Sequence, residues 1–69
     1  MPVINIKVAN NSLKDKDKEL LITKITDVVS DVLKKDPATT FVLIQEIGTE
    51  NFGVGGETVA KRIAKGAAL

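Results

Sequence analysis

The residue with the most distinctive chemistry is Pro2, which directly follows Met1. A small second residue normally allows the methionine to be removed, and the proline nitrogen then becomes a free secondary amine. An amine whose pKa lies near neutrality can take up and return protons at pH 7, as general acid/base catalysis requires. The simpler interpretation is that Pro2 only begins a strand, where a missing N–H costs little. The rest of the chain favours the catalytic interpretation.

Cationic side chains are the second group of candidates. Arg62 is the only arginine; it is either a surface charge or a ligand for a substrate carboxylate in a neighbouring subunit. Lys14 and Lys16 belong to a mixed-charge run at 14–19. That run is most simply a solvated first helical turn, but either lysine could also attract an anion to the mouth of a pocket.

Three carboxylates, Glu46, Glu50 and Glu57, are able in principle to activate water. Nothing in their spacing pairs them, so we expect each to lie at the surface. The glycines at 53, 55 and 56 do not fit the G-x-G-x-x-G pattern, and no Gly-Lys-Ser/Thr follows them. They favour a hairpin over a nucleotide site.

Composition excludes several function classes. The chain has 69 residues without cysteine or histidine, so disulfides, Cys or His metal sites and His-dependent triads are excluded. A net charge of +1 and only two aromatic residues, Phe41 and Phe52, argue against nucleic-acid binding. No apolar run approaches a membrane span, and the N-terminus lacks signal-peptide features. We therefore expect a cytoplasmic protein with a single domain over residues 1–69, stabilised by oligomerisation because so short a chain buries little surface.

Hydrophobic periodicity predicts two strands and one helix. Residues 3–8 alternate apolar and polar, which predicts a half-buried strand. Ser12 and Asp15 resemble a capping box, and helical spacing then predicts a helix over 13–35. A second strand follows over 39–46, and its apolar centre, 41–44, predicts burial on both faces.

A strand, a helix and a second strand predict a β-α-β unit with parallel strands and a right-handed crossover. One helix covers only one face of such a sheet, so the other face needs a partner. Gly55-Gly56 is the predicted centre of a hairpin, and residues 58–63 form either its return strand or a short helix.

Taken together, these segments resemble the 4-oxalocrotonate tautomerase-type members of the tautomerase superfamily. The resemblance rests on the opening Met-Pro-Val-Ile-Asn-Ile, one long helix, an apolar strand ending in Glu46, and Asn-Phe-Gly-Val-Gly-Gly-Glu at 51–57. It covers roughly residues 2–63.

The resemblance implies an α+β fold in which the β-α-β unit is followed by a C-terminal β-hairpin that grips a neighbouring subunit. It further implies a homohexamer built as a trimer of dimers, a small-molecule substrate, and neither cofactor nor metal. Pro2 would act as general base and then acid. Phe52 would line an apolar pocket around it, where burial lowers the pKa of an amine.

Two positions depart from the family pattern. Residues 12–14 stand where the archetype has an arginine that binds a substrate carboxylate, and Lys14 replaces it only as a point charge. Phe41 stands where a second arginine stabilises developing negative charge. Losing one such donor typically costs on the order of 10²–10³ in rate. We therefore expect a smaller, less charged or more aromatic enol than the archetypal dicarboxylate.

The sequence thus predicts an isomerase in which Pro2 shuttles a proton, while Phe52, Phe41, Lys14 and Arg62 bind the substrate. Two alternatives stay open. One is hydration or dehalogenation of an unsaturated acid, with Pro2 as acid and a glutamate activating water. The other is a non-catalytic oligomeric binding protein, which retention of Met1 would favour because the proline nitrogen would then be an amide.

Overall fold

The computed structural model describes residues 1–9 and 13–66. In chain order the elements are β1 (Val3–Val8), α1 (Asp15–Leu33), β2 (Phe41–Glu46), β3 (Gly53–Val54), β4 (Glu57–Thr58) and α2 (Val59–Ala64), with 3₁₀ turns at Pro37–Thr39 and Thr49–Asn51. The chain divides into two compact units, Met1–Ile6 with Leu13–Gln45 and Lys7–Ser12 with Glu46–Leu69.

Strands β1 and β2 are paired in a two-stranded sheet. The Phe41 N–H donates to the Pro2 carbonyl at 2.9 Å, and the Ile47 N–H donates to the Val8 carbonyl at 2.7 Å. Both bonds join residues with the same separation along the chain, so the strands run parallel, as predicted. Each strand alternates between exposed and half-buried side chains.

In the single chain one face of β2 is exposed, so the predicted burial on both faces would require the partner that the sequence also predicts. Val42 and Ile44 are half-buried, whereas the alternate residues Phe41 and Leu43 remain 52% and 50% exposed. Val3, on β1, is 57% exposed. One sheet face is therefore uncovered, because the chain supplies a single long helix.

Helix α1 confirms the predicted long helix, with each end two residues inside the predicted range. Its half-buried apolar stripe is Leu21, Ile25 and Val29, which repeats every fourth residue as one helix face does. The predicted cap, Ser12, lies outside the described residues. Lys14 occupies the N-cap position without a side-chain cap bond, and the helix ends at Lys34 in a left-handed conformation (φ 55°).

In the second unit, β3 and β4 form the predicted antiparallel hairpin, with Val54 paired to Glu57. Gly55 (φ 60°) and Gly56 (φ 85°) form its turn, where two consecutive positive φ angles favour glycine. Of the two alternatives for 58–63, the structure forms a short helix, α2, whose N-cap Thr58 accepts a bond from the Lys61 N–H at 3.1 Å.

The interior is very small. Val59, at 5% exposure, is the only buried hydrophobic residue in the described part of the chain, and α1 contains no buried residue. None of the described helices is long and apolar enough to cross a membrane.

Candidate active site

Pro2 lies immediately before β1 and is half-buried, while Met1 before it is 80% exposed. The Pro2 carbonyl is held by the Phe41 N–H at 2.9 Å. This bond involves the Pro2 carbonyl and not the Pro2 nitrogen, which lies at the start of the strand. Removal of Met1 would therefore expose an amine on a residue whose position the sheet already fixes.

Phe41 and Pro2 are neighbours through their backbones, but not through their side chains. The hydrogen bond from Phe41 to the Pro2 carbonyl places Phe41 beside Val3 in the parallel register. Side chains alternate along a strand, so the Phe41 ring is on the exposed sheet face with Val3, and the Pro2 ring is on the opposite, half-buried face. Within one chain, Phe41 does not line a pocket around Pro2.

Phe52 belongs to the second unit and lines an apolar cavity of about 310 Å³. The other lining residues are Ala9, Val54, Val59 and Ile63. The Phe52 carbonyl accepts a bond from the Val59 N–H at 2.7 Å, which ties the start of α2 to the residue before the hairpin. Among the described residues no charged side chain lines this cavity, so it suits an apolar group and disfavours a second carboxylate.

Lys14 is exposed at the positive end of α1, where its backbone carbonyl accepts bonds from the Asp17 and Lys18 N–H groups at 3.0 and 3.1 Å. Lys16 lines a shallow groove of about 440 Å³ together with Asp17, Glu19, Leu20 and Thr23. Two carboxylates and one ammonium give this groove no excess positive charge. It therefore offers little attraction to an anion.

Arg62 is half-buried, and its Nε lies 3.7 Å from Oε1 of Glu57. Oε2 of the same carboxylate accepts a bond from Nζ of Lys65 at 2.5 Å. Glu57 thus bridges two cations and is half-buried, whereas the sequence predicted only a surface position for it. The pairing spans a strand-to-helix junction, so helical i,i+4 spacing gave no signal for it.

The other two candidate carboxylates are placed differently. Glu46 is half-buried at the end of β2, and Glu50 is exposed in the turn at Thr49–Asn51. Sequence reasoning also missed Ala9, whose small side chain lines the Phe52 cavity. In the described ranges 1–9 and 13–66, no group of three or more acidic side chains is arranged to hold a metal ion.

Comparison with known proteins identifies the family. The sequence profile of the tautomerase enzyme family matches residues 2–62. A probable tautomerase, K2, of Dickeya dadantii is 42% identical over 62 residues, which cover 90% of this chain and 92% of that protein. The predicted family resemblance is therefore confirmed.

Solved structures agree with the sequence comparison. DmpI from Helicobacter pylori matches with a TM-score of 0.79 and 35% identity, covering 87% of this chain and 98% of that one. A 4-oxalocrotonate tautomerase isozyme from Methylibium petroleiphilum matches with a TM-score of 0.84 and 31% identity, covering 93% and 98%.

The β-α-β unit followed by a C-terminal hairpin is the fold that this chain shares with the solved tautomerase structures. This chain belongs to the tautomerase family. Membership supports an enzyme with an isomerase role.

Proposed function

We propose that the chain is a keto–enol tautomerase acting on a small unsaturated 2-hydroxy or 2-oxo acid or an aryl enol, with the Pro2 nitrogen as general base and then acid. The observation that carries the proposal is the position of Pro2. It is half-buried, follows the exposed Met1, and is fixed through its carbonyl by the Phe41 N–H at 2.9 Å. Family membership supports the same reaction class.

The reaction consists of two proton transfers. The neutral Pro2 amine accepts the proton of the substrate hydroxyl, and the electron pair left on oxygen forms the C=O bond while the C=C electrons move to carbon. The protonated amine then donates its proton to that carbon. Atoms and electrons balance without a redox step, so the proposed reaction needs no cofactor. Burial in an apolar pocket lowers the pKa of an amine because desolvation disfavours the charged form, so such a pocket around Pro2 would favour the neutral base.

The remaining predicted site residues take binding roles in this proposal. Phe52 and its apolar cavity hold the hydrocarbon part of the substrate, as the absence of lining charges supports. Arg62 binds the carboxylate, and Lys14 contributes a further positive charge to attract the anion. Phe41 contributes to a site only where its exposed face meets a second copy.

Self-association belongs to the same proposal. A core with one buried hydrophobic residue among those described is too small to stabilise a chain of this length by itself. The exposed face of Val3, Phe41 and Leu43 is an apolar surface that a second copy would cover. We propose a homohexamer, a cytoplasmic location and one functional domain over residues 1–69, each of which stays a prediction.

Enol ketonisation tests the proposal, with phenylenolpyruvate and a 2-hydroxy-dienoate as substrates and absorbance as the readout. Pro2→Ala should lose at least tenfold in kcat/KM, since a positioned general base contributes about 10²–10⁴. The matched control is Pro37→Ala, which replaces the only other proline and should keep activity within about twofold of the wild type. Full activity of Pro2→Ala would refute the role of Pro2.

The pH dependence separates this reaction from hydration. If Pro2 acts first as a base, kcat/KM falls as the pH drops below the pKa of the amine. If the amine must be protonated, as in hydration or dehalogenation, kcat/KM falls as the pH rises through the same pKa.

A further inference from the structure

The carboxylate of Glu57 contacts two cations that the chain places five and eight residues later. Its Oε1 lies 3.7 Å from Arg62 Nε, and its Oε2 accepts from Lys65 Nζ at 2.5 Å. The Glu57 side chain is 29% exposed and the Arg62 side chain 36% exposed. Partial burial reduces solvent screening of the pair, so the contact can restrict where the guanidinium lies.

The contact engages only one edge of the guanidinium. Glu57 faces Nε, and within the part of the chain that the structure describes the two terminal nitrogens of Arg62 have no hydrogen-bond partner. Nη2 stands beside the hairpin turn, 4.0 Å from where a Cβ on Gly55 would lie. Arg62 is thus held from the Glu57 side while its terminal nitrogens stay available. Those nitrogens form the fork that binds a carboxylate with two parallel hydrogen bonds.

Glu57 does not cancel the attraction of this cluster for an anion. Arg62 and Lys65 carry one positive charge each and Glu57 one negative charge, which leaves the cluster with an excess of one positive charge. Lys65 offsets the carboxylate, so Arg62 keeps its capacity to attract a substrate anion. The Nε edge of the Arg62 guanidinium contacts Glu57, and the terminal nitrogens are available to bind the substrate carboxylate.

We propose that Glu57 is a positioning residue that holds the Arg62 guanidinium so that its terminal nitrogens receive the carboxylate of the substrate. This inference rests on the proposed function, in which Arg62 binds that carboxylate. The opposite hypothesis is that Glu57 competes with the substrate for Arg62. The two hypotheses predict opposite changes in KM when Glu57 loses its charge.

The kinetic test compares phenylenolpyruvate with its methyl ester, which lacks the negative charge. Glu57→Gln should raise KM for the acid about two- to fivefold, the range expected for a partly exposed ion pair. The KM for the ester and both kcat values should stay unchanged. The matched control is Glu50→Gln, which removes the same charge from an exposed turn in the same unit and should leave KM for both substrates unchanged.

A double-mutant cycle isolates the coupling between the two residues. Once Arg62→Gln has removed the guanidinium, adding Glu57→Gln should cause no further rise in KM for the acid. A fall in KM in Glu57→Gln, equal effects on acid and ester, or independent effects of the two substitutions would each overturn the positioning role.

A binding measurement keeps this inference distinct from the proposed function. Because Arg62 is the only arginine, the protein gives a single arginine Nε–H resonance, which a phenylpyruvate titration can follow without turnover. We expect a ligand-induced shift of this resonance in the wild type and a Kd about two- to fivefold higher in Glu57→Gln. No shift in the wild type would overturn the inference even if the enzyme is active. A shift in a protein without ketonisation activity would support the carboxylate site and refute the proposed reaction.

Discussion

Replacing Leu43 by aspartate tests whether the exposed sheet face is an interface between copies. Leu43 is 50% exposed and shares its face with Phe41 (52%) and Val3 (57%). Fully burying a leucine side chain contributes about 1.5–3 kcal/mol. The exposed half of Leu43 is therefore worth about 0.8–1.5 kcal/mol per copy when a partner covers it.

In a symmetric pair both copies contribute, so truncating this contact should cost about 1.5–3 kcal/mol, equivalent to a 10- to 150-fold rise in the dissociation constant. An unpaired carboxylate in the same position costs more, because it must also be desolvated. Leu43→Asp should accordingly reduce the assembly to smaller species at micromolar concentration. Leu43→Thr keeps a strand-forming residue and should show the milder, 10- to 150-fold effect.

The assay is molar mass by light scattering and sedimentation velocity over a dilution series. Leu20→Asp is the matched control, because Leu20 is a leucine of similar exposure (54%) beside the charged side chains of the groove on α1. It should keep the mass of the wild type. If Leu43→Asp and Leu43→Thr both retain the mass and dissociation constant of the wild type, the proposed interface is wrong.

Three further substitutions test the local structure. Lys34→Gly should raise the free energy of unfolding by about 0.5–1 kcal/mol, because residue 34 has a φ of 55° that glycine adopts without strain; thermal unfolding at fixed protein concentration measures this. Gly56→Ala should lower the free energy of unfolding by about 1 kcal/mol, because the φ of 85° disfavours a Cβ. An unchanged melting temperature would contradict the turn geometry. Thr58→Ala should also lower the free energy of unfolding by about 1 kcal/mol through loss of the bond to the Lys61 N–H; amide exchange at Lys61 should then accelerate, and an unchanged exchange rate would show that the cap is not formed.

The regular elements were predictable because each has a local cause. Alternation identified β1, a repeat of apolar residues identified α1, and Gly55-Gly56 identified the hairpin turn. The parallel pairing of β1 and β2 followed from the helix between them, since a crossover of this length joins parallel strands.

Local patterns did not predict which face of a strand a single chain covers. Phe41 and Leu43 are as apolar as Val42 and Ile44, so the pattern does not show which pair is exposed, and only the tertiary packing decides it. The left-handed Lys34 was equally unpredictable, because lysine carries no preference for a positive φ.

The candidate site likewise contains residues that the sequence predicted and contacts that it did not. Pro2 and Phe52 were predicted from their place in the chain and from the family pattern, and their roles stay predictions. The contact between Glu57 and Arg62 was not, because it joins a strand residue to a helix residue across a turn and depends on the tertiary path of the hairpin. Ala9 lacked any signal, since a small apolar residue after a strand has no distinctive chemistry.

The most direct measurement for the central claim is a ¹⁵N NMR titration of the Pro2 nitrogen, in protein whose mass shows that Met1 has been removed. We predict that this nitrogen is a secondary amine that loses its proton near neutral pH, at the same pH at which kcat/KM for ketonisation rises. A nitrogen that stays cationic well above neutrality would contradict the account, as would an active protein that retains Met1, because Pro2 would then have no basic nitrogen.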